Sequence, residues 1–548
     1  MKRTGPKLRS SLPLVGMGAL LLLFCSSCGH RATRVEHGNQ NQILHLGNGA
    51  EPQDLDPQIT TGVPEHAIAM ALFEGLVSED PHDLHPVPGV AESWEINLDG
   101  TVYTFHLRNN ARWSNGDPVT ALDFVKSYER ILTPSLAAEY AYMFYPVKNA
   151  EAFNKGELKH FSEVGVKARD ARTLIITLHH STPYFLSMLN HSSWFPVHIP
   201  TIQKHGRLFE RGNRWTLPEN FVGNGPFVPK EWRINDRIVA EKSPTYWDAA
   251  RVKLKQIRFY AIESSDTEER AFRAGQLHLT HEAPLAKIDV YKRMHPEWLR
   301  IEPYLGVYFY QFNVTRPPLK DKRVRQALAL AIDREAIVES VTRGGQLPAY
   351  SFVPPGPGGY TPKYRLAGNV EKARRLLAEA GFADGQNFPH IKILFNTYES
   401  HRTIAEAVQQ MWKKNLNIDV ELVNQEWKVY LDSQKQLNYD VSRFGWIGDY
   451  ADANSFLDMW LTGGGNNRTG WSNPEYDRLI REAGETLDQS KRREIFQQAE
   501  AILLDDGPVA PIYFYTRVYL AQSSVQGWWP TILDHHPYKY VFLQSTTP

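Results

Sequence analysis

Two oppositely charged residues, Arg443 and Asp449, lie six positions apart on either side of the aromatic–glycine segment Gly445-Trp446-Ile447. Residues 440–447 are mostly apolar and predict a strand that runs into a loop. A strand end that offers backbone groups, one fixed cation and one fixed anion is complementary to a zwitterion with amide bonds, and a peptide is such a ligand. The alternative is that both are ordinary surface charges, since exposed ion pairs are common and weak.

Other patterns that could do chemistry are incomplete. Gly463-Gly-Gly465 lacks the Lys-Ser/Thr of a phosphate-binding P-loop, and His281-Glu282 has no second histidine at the spacing of a zinc protease. His535-His536 could bind a metal, but the adjoining Pro537 favours a structural role. The chain has no Gly-x-Ser-x-Gly sequence, and both cysteines precede residue 29. These patterns predict a binding protein rather than an enzyme, without a cofactor or a metal.

The elements expected around Arg443 and Asp449 alternate between strands and helices. Predicted strands include 308–313, 391–395 and 419–423, and predicted helices include 324–341, 401–415 and 492–504. Such alternation is typical of an α/β lobe with its own sheet. Nearer the N-terminus, an Asp-Gly turn within 94–108 predicts a hairpin.

The first 28 residues have the features of an export signal. Basic residues precede an apolar run from Leu12 to Phe24, which is too short for the ~20 residues that cross a bilayer. Ser26-Ser27-Cys28 resembles a bacterial lipobox, in which the cysteine is lipidated and becomes the first mature residue. A plain signal peptide cut near Gly29 is the alternative. The polar stretch 29–42 predicts a flexible tether.

Length and composition limit the function classes. The chain has 548 residues with 61 basic and 61 acidic side chains, a balance that gives no support to nucleic-acid binding. Because no cysteine follows residue 28, the mature chain has no disulfide and must be stabilised by burial. A chain of this length is expected to form more than one lobe.

A series of short motifs runs in order along most of the mature chain. The series includes Phe73-Glu-Gly-Leu-Val77, Val90-Ala-Glu-Ser-Trp94, Trp113-Ser-Asn-Gly-Asp-Pro-Val-Thr120, Gly223-Asn-Gly-Pro-Phe227, Arg323-Val-Arg-Gln-Ala-Leu328, the segment 440–449 and Asn473-Pro-Glu-Tyr-Asp477. Together these motifs resemble those of the bacterial oligopeptide-binding proteins of ABC importers, solute-binding protein family 5. A match spread this widely is not expected by chance.

The resemblance implies an α/β fold of the periplasmic-binding-protein type, a two-lobed clamshell of the large class with an extra third domain. Residues 1–28 would be a lipoprotein signal peptide and 29–42 the tether. Lobe I would combine 43–74, 199–305 and 515–548. The extra domain would be 75–198, and lobe II would be 306–514.

The resemblance also assigns roles to charged residues in the cleft. Asp449 corresponds to the carboxylate that binds the α-ammonium of a peptide, which cannot be buried unpaired without a large cost. Arg443 and His401 correspond to two of the basic residues that bind the α-carboxylate. A third basic position falls on Thr342, with Arg343 beside it. His401 and Arg343 could instead be ordinary residues near helix ends.

Further contacts are implied for the ligand backbone and for the pocket walls. Gly445 and Ile447 are expected to pair with the ligand as an added strand, which gives affinity without reading side chains. Trp427 and Trp446 are expected to form walls, and Tyr140 to contact the ligand from the extra domain. Each of these three aromatic residues could equally belong to a core.

The function implied is that of an extracytoplasmic receptor that binds short peptides between two lobes and delivers them to an ABC permease and its ATPase. The receptor would be a monomer in the periplasm or cell envelope, attached to a membrane only through a lipid on Cys28. Alternatives are a relative specialised for murein peptide, nickel chelate or another solute, and a lipid-anchored chaperone or adhesin. A peptidase on this scaffold is disfavoured by the missing nucleophile and metal motifs.

Overall fold

The computed structural model of the protein describes residues 32–544. The predicted signal peptide and Cys28 lie outside the described residues. Within residues 32–544, no helix combines the length and the apolar character that crossing a membrane requires.

The chain forms a mixed α/β structure. The strands are β1 (Ile43–Gly47), β2 (Val77–Glu79), β3 (Pro86–Pro88), β4 (Ala91–Ile96), β5 (Val102–Leu107), β6 (Val166–Asp170), β7 (Thr173–Thr177), β8 (Phe227–Arg233), β9 (Arg237–Lys242), β10 (Gln256–Tyr260), β11 (Leu299–Phe312), β12 (Leu347–Pro348), β13 (Ile391–Asn396), β14 (Val420–Gln425), β15 (Val441–Ile447), β16 (Val509–Leu520), β17 (Val525–Gln526) and β18 (Phe542–Leu543).

The α-helices are α1 (Arg34–Asn41), α2 (Val63–Leu72), α3 (Ala121–Leu132), α4 (Ala150–Asn154), α5 (Phe185–Met188), α6 (Ile199–His205), α7 (Ser265–Arg273), α8 (Ile288–Met294), α9 (Lys322–Leu330), α10 (Arg334–Ala336), α11 (Val370–Glu379), α12 (Glu399–Leu416), α13 (Trp427–Lys435), α14 (Asn454–Leu457), α15 (Pro474–Glu485) and α16 (Gln489–Asp506). A π-helical turn, Ile337–Thr342, follows α10 directly.

Three larger sheets organise these elements. One has the order β1-β10-β9-β8, a second has β4-β5-β7-β6, and a six-stranded sheet has β12-β16-β11-β15-β13-β14. The hairpin expected within 94–108 is formed by β4 and β5. The residue limits of the lobes and of the extra domain stay a prediction.

The strand β15 carries the candidate site and is paired unevenly. It pairs antiparallel with β11 along its whole length, from Gly306↔Ile447 to Phe312↔Val441. On its other side it pairs with β13 only at Val441 and Ser442. Residues 443–447 therefore have one edge to which, in the described part of the chain, no strand is paired.

Two apolar cores cover the faces of the six-stranded sheet. One joins that sheet to the β4–β7 sheet and includes Trp194, Phe309, Trp460 and Phe124. The other lies under α9, α11 and α12 and includes Leu328, Ile404 and Trp412. A third core belongs to the sheet that contains β1. The first core fixes the β4–β7 region against β15, so residues of both regions meet at one site.

The sequence prediction was wrong for part of the tether, because residues 34–41 form the helix α1. Thr33 and Glu36 cap its start reciprocally: Thr33 Oγ1 accepts from the Glu36 amide at 3.1 Å, and Glu36 Oε2 accepts from the Thr33 amide at 2.7 Å. The Val35 side chain is buried, and its amide donates to Gly275 O at 2.9 Å. These contacts hold a segment whose polar composition alone predicts a flexible chain.

The helix expected over 324–341 is broken. The helix α9 ends at Leu330, and a new helix starts after Asp333, whose carboxylate accepts from the Ala336 amide at 2.9 Å. An aspartate at this position caps a new helix start instead of continuing the old one. The apolar spacing predicts helix on both sides of the break but does not reveal the break itself.

Candidate binding site

A cavity of about 310 Å³ lies between β15 and the facing segments of the chain. Its volume falls at the lower end of the ~300–1,000 Å³ typical of small-molecule sites. Its lining comes from segments that are distant in sequence, mainly 46–70, 281–285, 396–449 and 513–538, together with Tyr140 and His191. Eight predicted site residues line it: Tyr140, His401, Trp427, Arg443, Gly445, Trp446, Ile447 and Asp449.

The strand β15 places its odd-numbered residues towards the cavity. Burial alternates along the strand, with Arg443, Gly445 and Ile447 partly exposed and the intervening residues buried. This alternation follows from the two-residue period of a strand. Trp446 belongs mainly to the core, since it is buried and its Nε1–H donates to Ser455 O at 2.6 Å. The unpaired edge therefore lies beside the side chains that face the cavity.

Asp449 follows the end of β15 and is held by neutral donors. Its Oδ1 accepts from the Tyr140 hydroxyl at 3.1 Å and lies 3.4 Å from His191 Nε2. His191 Nδ1 lies 3.3 Å from the Ser193 amide and 2.8 Å from Ser193 Oγ, and the Nε2–H tautomer would point its proton to Asp449. Oδ2 has no hydrogen-bond partner among residues 32–544.

The charge of Asp449 is poorly compensated. Burial raises the pKa of Asp449 to about 8, although the hydrogen bond from Tyr140 and the charge of His535 act in the opposite direction. A buried carboxylate with one unpaired oxygen and no direct cationic partner is complementary to a cation brought by a ligand.

Arg443 lies at the other end of the same strand face. Its guanidinium donates to Tyr515 Oη at 2.8 Å and to Asn396 Oδ1 at 3.3 Å, and its central carbon lies 4.8 Å from the centre of the Tyr308 ring. Its Nε–H is buried without a partner in the described part of the chain. Neutral groups thus orient the guanidinium and leave its charge unmatched.

His401 lies in the same part of the cavity, near the start of α12. Its ring is 5.7 Å from that of Tyr308, and its Nδ1 has no hydrogen-bond partner among the described residues. Burial and the charge of Arg443 hold the pKa of His401 well below its usual value. The imidazole is therefore neutral at pH 7, so it offers a ligand a hydrogen bond rather than a charge.

Trp427 joins two sides of the cavity. It opens α13, and its Nε1–H donates to Glu65 Oε1 at 3.2 Å, across 362 positions of sequence. Burial raises the pKa of Glu65. Trp427 therefore lines the cavity and also connects α13 to α2, two helices that are far apart in the sequence.

Arg343 does not line the cavity, whereas its neighbour Thr342 does. The backbone at Arg343 turns to φ 52° at the end of the π-helical turn. The guanidinium then reaches Asp289 Oδ2 at 3.2 Å and Leu285 O at 3.3 Å. A second role for Arg343 in binding an anion would require this pair to separate.

Several cavity residues were not predicted as part of the site. His281, Glu282, His535 and His536 all line the cavity, although as sequence motifs they were only incomplete metal sites. Arg517, Asp534, Tyr515 and His191 line it too. Their common signal is a polar residue beside a buried strand or aromatic segment, which is too frequent in sequences to single them out.

Comparison with known proteins identifies the family. Residues 85–468 match the bacterial extracellular solute-binding proteins, family 5 middle. The periplasmic oligopeptide-binding protein OppA of Salmonella typhimurium is 40% identical over 527 residues, which cover 94% of this chain and 95% of that protein. The crystal structure of Haemophilus influenzae OppA in complex with RPPGFSPFR superposes with a TM-score of 0.87 at 36% identity, covering 92% of this chain and 99% of that one.

The murein tripeptide-binding protein MppA of Escherichia coli is informative because two of its structures can be compared. One superposes with a TM-score of 0.86 at 34% identity, covering 91% of this chain and 98% of that one. The unliganded open form, with similar coverage of 92% and 98%, gives only 0.61. The lobes of the present structure are therefore arranged differently from those of that open form.

These similarities confirm the two-lobed periplasmic-binding-protein fold with its third domain, and the chain belongs to family 5 of the bacterial extracellular solute-binding proteins.

Proposed function

We propose that the protein is the extracytoplasmic receptor of an ABC importer and binds short free peptides between its lobes. The observation that carries the proposal is the arrangement on β15. An unmatched anion, Asp449, and an unmatched cation, Arg443, lie at opposite ends of one unpaired strand edge that borders a cavity. A peptide in extended conformation supplies the opposite charge at each end and backbone groups between them.

The spacing of the two charges sets the size of the ligand. Six positions of chain, the last two beyond the end of β15, separate their Cα atoms by at most about 20 Å, and both side chains reach towards the ligand. An extended peptide of about three to five residues bridges the remaining distance, at ~3.3 Å per residue. Gly445 and Ile447 offer backbone groups along this path, which suits ligands of many sequences.

Binding is coupled to closure because the ligand contacts both sides of the cleft. Asp449 is reached by Tyr140 and His191 from the β4–β7 side, and Trp427 reaches Glu65 on α2. A ligand that binds only the closed form shifts the population towards it. The closed receptor then delivers the peptide to the permease, and no chemical conversion of the ligand takes place.

The proposal is tested with the purified chain that lacks residues 1–28, unfolded and refolded to remove bound ligand. Calorimetry would compare a tri- to pentapeptide series with the same peptides N-acetylated or C-amidated. We expect micromolar or tighter binding of the free peptides, and at least tenfold weaker binding when either terminal charge is removed. Mass spectrometry should recover the peptide unchanged.

Absence of binding by any free peptide would refute the proposal and direct attention to other solutes. Murein tripeptide belongs in the same series, because the fold superposes closely on a protein that binds it. A preference for murein tripeptide over linear peptides of the same length would favour the specialised alternative. Hydrolysis of any ligand would instead indicate an enzyme.

We also propose that the mature protein is attached to a membrane through a lipid on Cys28. The support is the sequence Ser26-Ser27-Cys28 after a short apolar run. Metabolic labelling with a radioactive fatty acid should label the wild-type protein and not Cys28→Ser. Labelling of both proteins, or of neither, would contradict the anchor.

A further inference from the structure

The cavity lining contains unequal numbers of basic and acidic side chains. Its lining contains two arginines, three carboxylates, six histidines and no lysine among the described residues: Arg443, Arg517, Glu282, Asp449, Asp534, His66, His191, His281, His401, His535 and His536. Because buried charges need partners, the cavity residues that form no ion pair within the protein are the ones left to pair with a ligand.

Most of these groups are already matched or neutral. Arg517 Nε donates to Asp534 Oδ2 at 2.6 Å, and His536 Nε2 lies 2.9 Å from Asp534 Oδ1. His535 contacts the Glu79 carboxylate at 2.9 Å. Burial lowers the pKa values of the other four histidines, His66, His191, His281 and His401, so these are uncharged at pH 7.

Three ionisable groups of the lining remain without a charged partner in direct contact, Arg443, Asp449 and Glu282. The proposed zwitterionic peptide matches the first two, its carboxylate pairing with Arg443 and its ammonium with Asp449. Glu282 is then left as a carboxyl group that faces the ligand and makes no ion pair within 4 Å among the described residues. This step rests on the proposed function.

Glu282 is held in place by a second buried carboxyl group. Glu268 accepts from the backbone amides of His281 at 2.9 Å and of Glu282 at 3.3 Å. Burial raises the pKa of Glu268 to about 8, and Glu268 does not line the cavity, so this carboxyl group is not offered to a ligand. The backbone of this segment is thus anchored while the Glu282 side chain points into the cavity.

The position of Glu282 relates it to one end of the ligand. Its electrostatic neighbours are Arg517 and Arg443, and Ser400 beside His401 is close to it. Burial raises the pKa of Glu282 to about 7 despite these cations. The tyrosines Tyr398, Tyr513 and Tyr515 line the same region and offer apolar surface to a long aliphatic stem.

We propose that Glu282 makes the receptor selective for peptides that carry a lysine or arginine side chain near the C-terminus. The side chain of such a residue places its charge against Glu282 while the neighbouring α-carboxylate binds Arg443. A charge-assisted contact of this kind strengthens binding of the cationic peptide. A neutral or acidic side chain leaves the carboxylate unmatched and so is disfavoured.

The test uses tetrapeptides of alanine in which one residue is lysine, norleucine or glutamate, at the second, third or fourth position. Norleucine keeps the aliphatic stem of lysine and removes only its charge. For substitutions at the third or fourth position, we expect the wild-type protein to bind the lysine tetrapeptide at least about tenfold more tightly than the norleucine tetrapeptide. The glutamate tetrapeptide should bind more weakly than the norleucine tetrapeptide. Glu282→Gln should bring the ratio of lysine to norleucine close to one.

The matched control is Glu399→Gln, because Glu399 is an exposed glutamate at the start of α12 and does not line the cavity. It removes the same charge and should keep the lysine preference. The proposal is overturned if the wild-type protein shows no lysine preference or if Glu282→Gln retains it. Failure of every tetrapeptide to bind any variant would instead refute the proposed function from which this selectivity follows.

Discussion

At Asp449, the requirements of stability and of ligand binding conflict. The carboxylate is buried, one oxygen is unpartnered within residues 32–544, and its Oδ1 receives only neutral donors. Burial raises its pKa to about 8, against an ordinary value near 4 in the unfolded chain. The protonated form therefore stabilises the fold at low pH, and this stabilisation is lost as the pH rises from about 4 through 8.

Replacing Asp449 by asparagine should separate these two properties. The amide keeps the shape and removes the charge, so ligand-free Asp449→Asn should unfold at a higher temperature than wild type, with a gap that widens from pH 5 to pH 8. Its affinity for a free peptide should fall about 100-fold, because the α-ammonium loses its counter-charge. Thermal unfolding and calorimetry measure the two effects. A gap that narrows with rising pH would contradict the assignment of the raised pKa.

The two residues expected at the peptide carboxylate differ in kind. Arg443 is charged at all accessible pH values, whereas His401 is neutral at pH 7 because burial and Arg443 lower its pKa. We expect Arg443→Gln to cost about 100-fold in affinity and His401→Gln about tenfold, as charge-assisted bonds are stronger than neutral ones.

Amidated peptides provide the control for this pair. Arg443→Gln should bind a peptide and its C-terminal amide almost equally, whereas His401→Gln should still prefer the free carboxylate. Wild-type affinity should not fall as the pH rises from 6 to 7.5. A fall in that range that His401→Gln abolishes would show that His401 binds as a cation.

The types of residue at the ligand termini could be predicted from the sequence, but their electrostatic states could not. The charges of Arg443 and Asp449, their spacing and the resemblance led to the proposed terminal contacts. The neutrality of His401 and the raised pKa values of Asp449 and Glu282 depend on burial by segments hundreds of positions away. Sequence spacing contains no information on such burial.

At the level of elements, β15 is suited to bind a ligand backbone because, in the described part of the chain, one of its edges has no paired strand beyond Ser442. Gly445 lies at the middle of this edge. A Cβ added there would approach Tyr515 Oη to 2.5 Å and Arg443 Nη2 to 3.2 Å. The glycine thus leaves space both for a ligand backbone and for the hydroxyl that orients the guanidinium.

Gly445→Ala should therefore weaken peptide binding about tenfold, since Tyr515 must move away from Arg443 to admit the methyl group. Calorimetry with one tetrapeptide measures the change. The matched control is Gly484→Ala in α15, where the nearest atoms to an added Cβ belong to His180 at 3.7 Å and 3.8 Å. That variant should bind normally and gain up to about 1 kcal/mol of helix stability. Normal binding by Gly445→Ala would show that no ligand approaches this edge.

The elements near the site were predicted well where the local pattern decides, and poorly where a tertiary contact decides. The strand 440–447 appears as Val441–Ile447, and the helix 401–415 as Glu399–Leu416. The helix α1 depends on its contact with Gly275 and on a reciprocal cap. Arg343 was expected near the carboxylate, yet it lies outside the cavity because the chain turns at the end of the π-helical segment.

For the whole molecule, contacts across the cleft determine how the lobes respond to a ligand. The hydrogen bond from Tyr140 to Asp449 joins residues 309 positions apart, and the hydrogen bond from Trp427 to Glu65 joins residues 362 positions apart. Behind the cavity, β11 and β16 are long strands of 14 and 12 residues that pair with each other through two shifts of register. They run from the six-stranded sheet to the β1 region, where Thr280 N donates to Leu520 O at 3.0 Å. These two strands therefore connect the six-stranded sheet to the β1 region.

Peptide addition should reduce the radius of gyration of the refolded protein in small-angle X-ray scattering, because ligand contacts favour the closed form. Asp449→Asn at the same peptide concentration should show little or no reduction. The N-acetylated peptide should also leave the wild-type curve unchanged. An unchanged curve for wild type at a saturating concentration of free peptide would contradict ligand-induced closure.

The two-lobed architecture could be inferred from the sequence only through its resemblance to a family, since no local pattern reveals how distant segments combine. The sheet β1-β10-β9-β8 joins residues 43–47 to residues 227–260. Periodicity predicts that these strands exist, but the choice of partners depends on which apolar faces fit together in three dimensions.

The unmatched carboxylate of Asp449 has a consequence for the energy that transport consumes. A permease that senses only the shape of its receptor cannot inspect the cargo, so an empty receptor in the closed shape would trigger ATP hydrolysis without import. Enclosing a charged Asp449 without a cation is unfavourable, and the raised pKa expresses that cost. The anion proposed to hold the peptide would therefore also act as a safeguard against futile cycles, because its charge would oppose closure until a cation arrives.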